Sequence, residues 1–377
     1  MNRNTTSRWL FAALLVGTFP AAAAAQDTGT NDDQTGFGST AAEFLLLGAN
    51  ARGTALGGSY ITVATDIGGT NANPAALALI TRPGAQFSQY DYVADTKLNW
   101  GGVAFPFGGG ARAIGVQFGT FGFSDQPVYT ADSPEGTGEV YDVSESFVGL
   151  TLAQNFSDRF SVGITLKGVF DQLGQTSGSA FALDFGTHFH SNLNGRPIRF
   201  AFALTNLGTE LTYDGDAIRT DTPRDSIPGE DGVPSLNQPS VLRNSGFGLP
   251  TMFRVGLAYD VVASGNNRFT LMGEFNQASA NKAAFGFGAE LAAGKLGSTG
   301  FGVALRGSYT SNPANSYDLD SFGVGGEGKL DDEKMHGLAL GAGLMYETAG
   351  FNVGFDYAWK DMGLLGNASF FTVSLGW

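Results

Sequence analysis

The chain has 377 residues, no cysteine and a net charge of −14. Without cysteine there is no disulfide framework or thiolate metal site, and without a basic excess there is no electrostatic footprint for nucleic acid. Only 15% of residues are charged and 12% are aromatic, which excludes a chain too polar to fold. The 56 glycines beside 31 phenylalanines are unusual for a soluble enzyme. They suit a wall whose large residues face lipid and whose small residues face a lumen.

Arg3 and Arg8 precede an apolar run over 9–17, and Ala23, Ala24 and Ala25 supply small residues before Gln26. Residues 1–25 therefore read as a secretory signal peptide, too short to cross a bilayer as a helix. Residues 26–40 are polar and rich in Gly and Thr, as in a flexible tether. No later apolar run reaches the length of a helical span.

Residues 41–82 do not alternate like the rest of the chain. Small and apolar residues over 41–51 suggest a short helix, the glycines over 53–58 a tight turn, and 59–64 a short strand. Pro74 fixes its own φ and pushes Asn73 out of the helical region, so Asn73 is expected to cap a short helix that Pro74 and Ala75 open.

From residue 83 to 377 the chain repeats one unit, clearest at the end. Phe351, Val353, Phe355, Tyr357 and Trp359 alternate with small or polar residues, and Phe371, Val373, Leu375 and Trp377 do the same after a turn. Period two marks strands with one apolar face. Ten residues at roughly 3.3 Å each, tilted by about 40°, rise about 25 Å, the height of a lipid-facing band. Fourteen such strands are expected, at 84–93, 97–107, 111–123, 143–156, 159–171, 178–190, 198–207, 247–262, 268–277, 283–293, 299–310, 337–348, 351–359 and 368–377. The even-to-odd connections are all short, and the three longest connections all fall on the other side. That sorting is expected of a membrane barrel and not of a soluble sandwich or propeller, the competing all-β folds. The fold class is thus an all-β, 14-stranded antiparallel transmembrane barrel, with 41–82 left over as an N-terminal segment of short helices. Trp100, Tyr309 and Trp359 are expected in an outer aromatic belt, and Tyr259, Tyr346 and Trp377 in an inner one.

With the apolar set facing lipid, Lys167, Asp184, Arg199, Arg254, Glu274, Glu290, Arg306 and Asp356 all face inward. A charge facing lipid costs about 2–4 kcal/mol at mid-bilayer, so their shared parity supports the phase. A paired lumen network of four acids and four bases is expected. His188 and His190 share that face, a weak metal signal beside ordinary lumen hydrogen bonding. In the third strand Ile114, Val116 and Phe118 have one parity and Phe121 and Phe123 the other, which places a bulge at Gly119 and Thr120. The acidic loops over 208–246 (Asp214, Asp216, Asp221, Asp225, Glu230, Asp231) and 311–336 (Asp318, Asp320, Asp331, Asp332, Glu333) suit partner docking better than calcium, since no EF-hand spacing occurs.

The strings Phe44 to Arg52, Ala55 to Gly58 and Asn71 to Leu77 resemble the N-terminal signature of the PorV/PorQ group of the FadL-like outer-membrane superfamily. The resemblance implies that 41–82 is a hatch plugging the barrel, with Phe44, Arg52, Gly57, Gly58, Asn73, Pro74 and Ala75 as its motif. It also implies fourteen strands, an assembly signal in the final aromatic residue, and a lateral opening at the third-strand bulge. Two roles follow. The first is a PorV-like accessory of type IX secretion, partnered by the large translocon barrel and secreted cargo domains. The alternative is a FadL-like channel for hydrophobic small molecules such as long-chain fatty acids. A mainly structural protein of the outer membrane is a third reading. No catalytic constellation is present, and no enzyme activity, cofactor, metal or nucleic-acid partner is expected. Besides outer-membrane lipids, the expected setting is a Gram-negative envelope.

Overall fold

A computed structural model describes residues 38–92, 95–223, 237–242, 245–281, 283–294, 299–311 and 337–377. The signal segment, most of the tether, and Asp225, Glu230, Asp231, Asp318, Asp320, Asp331, Asp332 and Glu333 lie outside the described residues.

The strands are β1 (Gly84–Asp91), β2 (Lys97–Phe107), β3 (Arg112–Pro127), β4 (Val140–Ser157), β5 (Phe160–Leu173), β6 (Thr176–Leu193) and β7 (Arg196–Gly208). Three short strands, β8 (Thr212–Gly215), β9 (Arg219–Pro223) and β10 (Asn237–Val241), interrupt the series. It resumes with β11 (Met252–Ser264), β12 (Asn267–Ala278), β13 (Ala284–Ala293), β14 (Phe301–Ser311), β15 (Leu338–Glu347), β16 (Asn352–Asp361) and β17 (Asn367–Gly376). Every wall strand pairs antiparallel with its neighbour in sequence, β7 pairs with β11, and β1 pairs with β17, so fourteen strands close into a barrel. Closure removes every free edge, which is what allows a sheet to stand in lipid. Among the described residues no helix is long and apolar enough to cross a membrane.

The expected alternation is realised as burial. Phe181 and Leu305 on the outer face are 67% and 61% exposed, whereas inward Lys167 and Glu290 are 0% and 1% exposed. Tyr309, Tyr346 and Trp377 stand exposed on the outer face. Trp100 does not join them: it points into the bore, 1% exposed, and its Nε1 donates to Gln117 Oε1 at 3.3 Å. An indole with a buried hydrogen-bond acceptor gains more inside than at an interface.

Three further expectations need correction. The wall strand expected from residue 247 begins at Met252, because Phe247 is held in an isolated bridge to Leu211 and Pro250 has no N–H to donate. In the third strand the bulge expected at Gly119 and Thr120 is missing. Pairing to β2 runs unbroken from Arg112 to Gly122, and pairing to β4 from Arg112 to Phe123, with the register shift only beyond Phe123. Phe121 keeps the inward phase and stacks on Phe44, centroids 6.2 Å apart. An inward aromatic, not a slip, explains its parity, and with it goes the ground for a lateral opening there.

The third correction concerns 41–64. Its first turn is a 3-10 turn over Glu43–Leu46, and the α-helix α1 covers Ala51–Ala55 instead. Asn50 dictates that start: its side chain accepts from Gly53 N at 2.6 Å, an N-cap. Residues 59–64 form turns closed by Val63 N and Ala64 N donating to Tyr60 O, since a closed wall offers them no edge.

Candidate functional site: the hatched bore

Residues 40–82 run down the inside of the wall. Thr40 bridges Gly248 at the rim with the long connections, and Arg82 lies 3.5 Å from Glu347 at the opposite rim of short turns. Between these ends the wall holds the segment by its backbone. Thr372 Oγ1 accepts from Ala51 N at 2.8 Å, and Glu274 Oε2 from Ile61 N at 2.9 Å. Gln86 Oε1 accepts from Gly68 N at 2.6 Å, and Tyr90 donates to Gly48 O at 2.6 Å. His188 Nε2 bonds Thr62 O at 3.0 Å, so that imidazole is used as a hatch anchor. Short 3-10 turns leave many amides without internal partners, and these wall side chains supply them.

The motif residues divide by task. Asn73 caps the turn over Pro74–Leu79, its Oδ1 accepting from Ala75 N at 3.0 Å while its Nδ2 donates to Thr187 O at 3.1 Å. Space for this corner comes from two glycines in the wall. A Cβ on Gly186 would sit 2.0 Å from Asn73 Oδ1, and one on Gly163 would sit 2.3 Å from the Pro74 carbonyl carbon. Gly57 adopts a left-handed φ of 54°, open to glycine at no steric cost. Gly58 follows, with its carbonyl taken by Asn276 and its N–H donating to Thr310.

Arg52 is the hub. Its Nε and Nη2 donate to Glu290 Oε2 and Oε1 at 2.9 and 3.1 Å, and its Nη1 reaches Asp66 Oδ2 at 3.3 Å and Thr65 Oγ1 at 3.1 Å. Burial by itself lowers the guanidinium's proton affinity, but the Glu290 and Asp66 carboxylates outweigh it and hold Arg52 well above its ordinary value. Tyr60 is pushed up by burial and by Asp66, so the phenol stays protonated and donates to Asp66 Oδ1 at 2.5 Å. Asn50 Nδ2 donates to both Tyr60 and Asp66, at 3.0 and 2.9 Å. A continuous polar chain thus crosses the bore from Asn50 through Tyr60, Asp66 and Arg52 to Glu290 in the wall.

The eight inward charges fall into four groups rather than one network. Glu290 takes Arg306 at 2.8 Å and Arg268 at 3.1 Å besides Arg52, and Arg306 also reaches Asp356 at 2.5 Å. Lys167 lies 2.7 Å from Asp184 and 2.8 Å from Asn206 Oδ1. Arg199 pairs with Asp260, which Thr270 also supports at 2.7 Å. Arg254 lies in the field of both Glu274 and Asp184, which ties its group to the Lys167 pair without a hydrogen bond, and its Nε has no partner among the described residues. Asn50, Tyr60, Asp66, Arg268 and Asp260 were not singled out from sequence. Asp260 and Arg268 carry the inward parity that would have found them, whereas the hatch residues follow no period.

Two cavities flank this chain. One, about 360 Å³, opens toward the long loops and is lined by Leu46, Leu47, Tyr92, Met252, Met362 and Phe370 together with Arg254, Glu274 and Lys360. The other, about 440 Å³, opens toward the short turns and is lined by Arg52, Asp66, Arg268, Glu290, Arg306 and Asp356. Both match the roughly 300–1,000 Å³ of small-molecule sites. Both are lined mainly by apolar surface, and the lower carries more charged side chains than the upper.

No family model and no curated protein sequence matches the chain. Among solved structures, the Ralstonia pickettii toluene transporter TbuX matches with a TM-score of 0.52 and 12% identity, over 88% of this chain and 98% of that one. The CymD monoaromatic hydrocarbon channel matches at 0.48 and 14% identity, over 88% and 97%. A Pseudomonas aeruginosa FadL homologue matches at 0.45 and 11% identity, over 87% and 97%. At these identities the likeness is one of fold: a fourteen-stranded barrel of the kind found in outer-membrane transporters.

Proposed function

We propose that the chain is an outer-membrane channel that admits small hydrophobic molecules from the long-loop side and passes them inward past the hatch. The observation that carries this reading is the pair of cavities on either side of the Asn50–Tyr60–Asp66–Arg52–Glu290 chain. A ligand resting in the upper chamber touches the hatch residues Leu46, Leu47 and Tyr60. The lower chamber is walled by the other side of the same partition. A shift of the hatch is therefore the shortest connection between them. Arg254, Lys360, Glu274 and Asp361 add two bases and two acids to the chamber's apolar lining. The fold shared with the toluene transporter TbuX points the same way. The type IX secretion role rests on the N-terminal resemblance alone, and nothing in the bore or the neighbours favours it over transport.

Uptake of a radiolabelled monoaromatic hydrocarbon and of a radiolabelled long-chain fatty acid into cells with and without the protein tests the reading. Faster uptake of either, abolished by filling the upper chamber with Ala284→Trp, supports it. Equal rates for both solutes, together with recovery of a giant translocon barrel on the purified protein, reject it in favour of secretion.

A further inference from the structure

Hydroxyls on the inner face of the wall pair with one another: Thr151 meets Thr165 at 2.7 Å, and Ser88 meets Thr372 at 2.8 Å. A second set of polar side chains lies on the outer face, at the long-connection end of β4, β5, β6 and β8. The register lines up Ser144, Gln172, Ser177 and Asp214 across these strands, and beneath them Ser146, Phe170, Ser179 and Thr212. Both rows share the parity of lipid-facing Val148 and Leu166, so they point out of the barrel. Together they line a recess of about 510 Å³, with Glu210 beside them. Among the described residues no hydrogen bond takes up the side chains of Ser144, Ser146, Gln172, Ser177, Ser179 or Thr212.

The recess ends where the lipid-facing wall begins. One step further along the same strands the outward positions are Val148, Gly168 and Phe181, and the next are Leu150, Leu166 and Leu183. Val148 and Phe181 are 53% and 67% exposed. A hydroxyl-lined hollow therefore sits on top of an apolar strip, on one face of the same three strands. A molecule that fills both has a hydroxylated head and a hydrocarbon tail. Phe170 offers its half-exposed ring amid the hydroxyls, a platform for the C–H face of a sugar. Among the described residues no base lines the recess, whereas Glu210 and Asp214 do. These carboxylates repel a phosphate head and accept hydrogen bonds from neutral hydroxyls.

We propose that this recess holds the uncharged sugar head of an outer-leaflet glycolipid, whose acyl chains lie along Val148, Phe181 and the leucines below. Serine and threonine hydroxyls both donate and accept, as a sugar's do, so each can serve either kind of partner. Four strands spaced by about 4.8 Å, carrying two outward rows about 7 Å apart, give the footprint of one or two sugar rings. A lipid fits better than a free saccharide because the apolar strip continues from the recess without a break. The site is on the lipid side of the wall, so it rests on the membrane setting of the barrel and not on transport through its bore.

The test is native mass spectrometry of the purified protein offered equal amounts of a monoglucosyl diacylglycerol, the same diacylglycerol without sugar, phosphatidylglycerol with the same chains, and free maltose. The glucosyl lipid should be retained roughly fivefold or more over each of the others, the scale of one or more hydrogen bonds. Phe170→Leu, and Ser146→Ala combined with Ser179→Ala, should each cut that preference roughly fivefold. Phe287→Leu removes an equally exposed outer ring from β13 and should leave the preference unchanged. Equal retention of the sugar-free lipid or of phosphatidylglycerol would overturn the proposal, as would a preference untouched by both recess variants. Maltose held as tightly as the glucosyl lipid would overturn the assignment to a lipid.

Discussion

Two carboxylate clusters in the same bore are built in opposite ways. Glu290 is a single acid facing three guanidiniums, those of Arg52, Arg268 and Arg306. Glu145 and Asp171 are two acids set directly opposite each other on neighbouring strands, and among the described residues no basic side chain pairs with either. Both lie on the inner face of a rigid wall, so folding stability alone would drive both toward pairing. The difference teaches what each region is for. A satisfied charge hub fixes the hatch to the wall, whereas the carboxylate pair weakens the strand pairing that carries it.

The largest effect should come from breaking the hub. Glu290→Ala leaves buried guanidiniums without their acid, a loss of about 3–5 kcal/mol when one partner of a buried pair is removed. The purified protein should then be cut within residues 40–82 by a protease that leaves the wild type intact. An equally resistant variant would show that the backbone anchors hold the hatch without the hub.

Gly186→Ala acts on the hatch from the wall side. Its Cβ would meet Asn73 Oδ1 at 2.0 Å, and overpacking of this kind costs about 1–3 kcal/mol. Thermal unfolding in detergent should show the loss, and the double variant with Asn73→Ala should recover part of it. Alone, Asn73→Ala removes a cap worth about 1 kcal/mol and should cost less than Gly186→Ala in the same melts. Smallest is Glu145→Gln, expected to stabilise by a few tenths of a kcal/mol as a cross-strand repulsion disappears. A destabilised Glu145→Gln would erase the contrast between the two clusters.

The wall was legible because it obeys one period. Alternation located all fourteen strands, and the sorting of loop lengths set which rim carries the long connections. Where alternation met exceptions it misled. Phe121 and Trp100 are aromatic yet face inward, one against Phe44 and the other toward Gln117. Parity by itself reads the first as a slip and the second as a belt residue. The outer ends of β3, β4 and β6 run past the expected boundaries because they rise above the lipid band, where polar residues on both faces hide the period. The hatch obeys no period at all. Asn73 was readable from local chemistry, since a proline next to it forces its conformation. The Arg52 partners were not, because Glu290 lies 238 residues away and only the closed barrel brings them together.

The claim that solutes cross by displacing the hatch is tested most directly by tying it down. The chain has no cysteine, so Ala51→Cys and Thr372→Cys place the only pair where a hatch amide already meets a wall hydroxyl at 2.8 Å. Uptake of the labelled hydrocarbon should stop under oxidation and return on reduction, with the binding of solute in the upper chamber unchanged. Undiminished uptake through the oxidised, fully cross-linked protein would contradict the account.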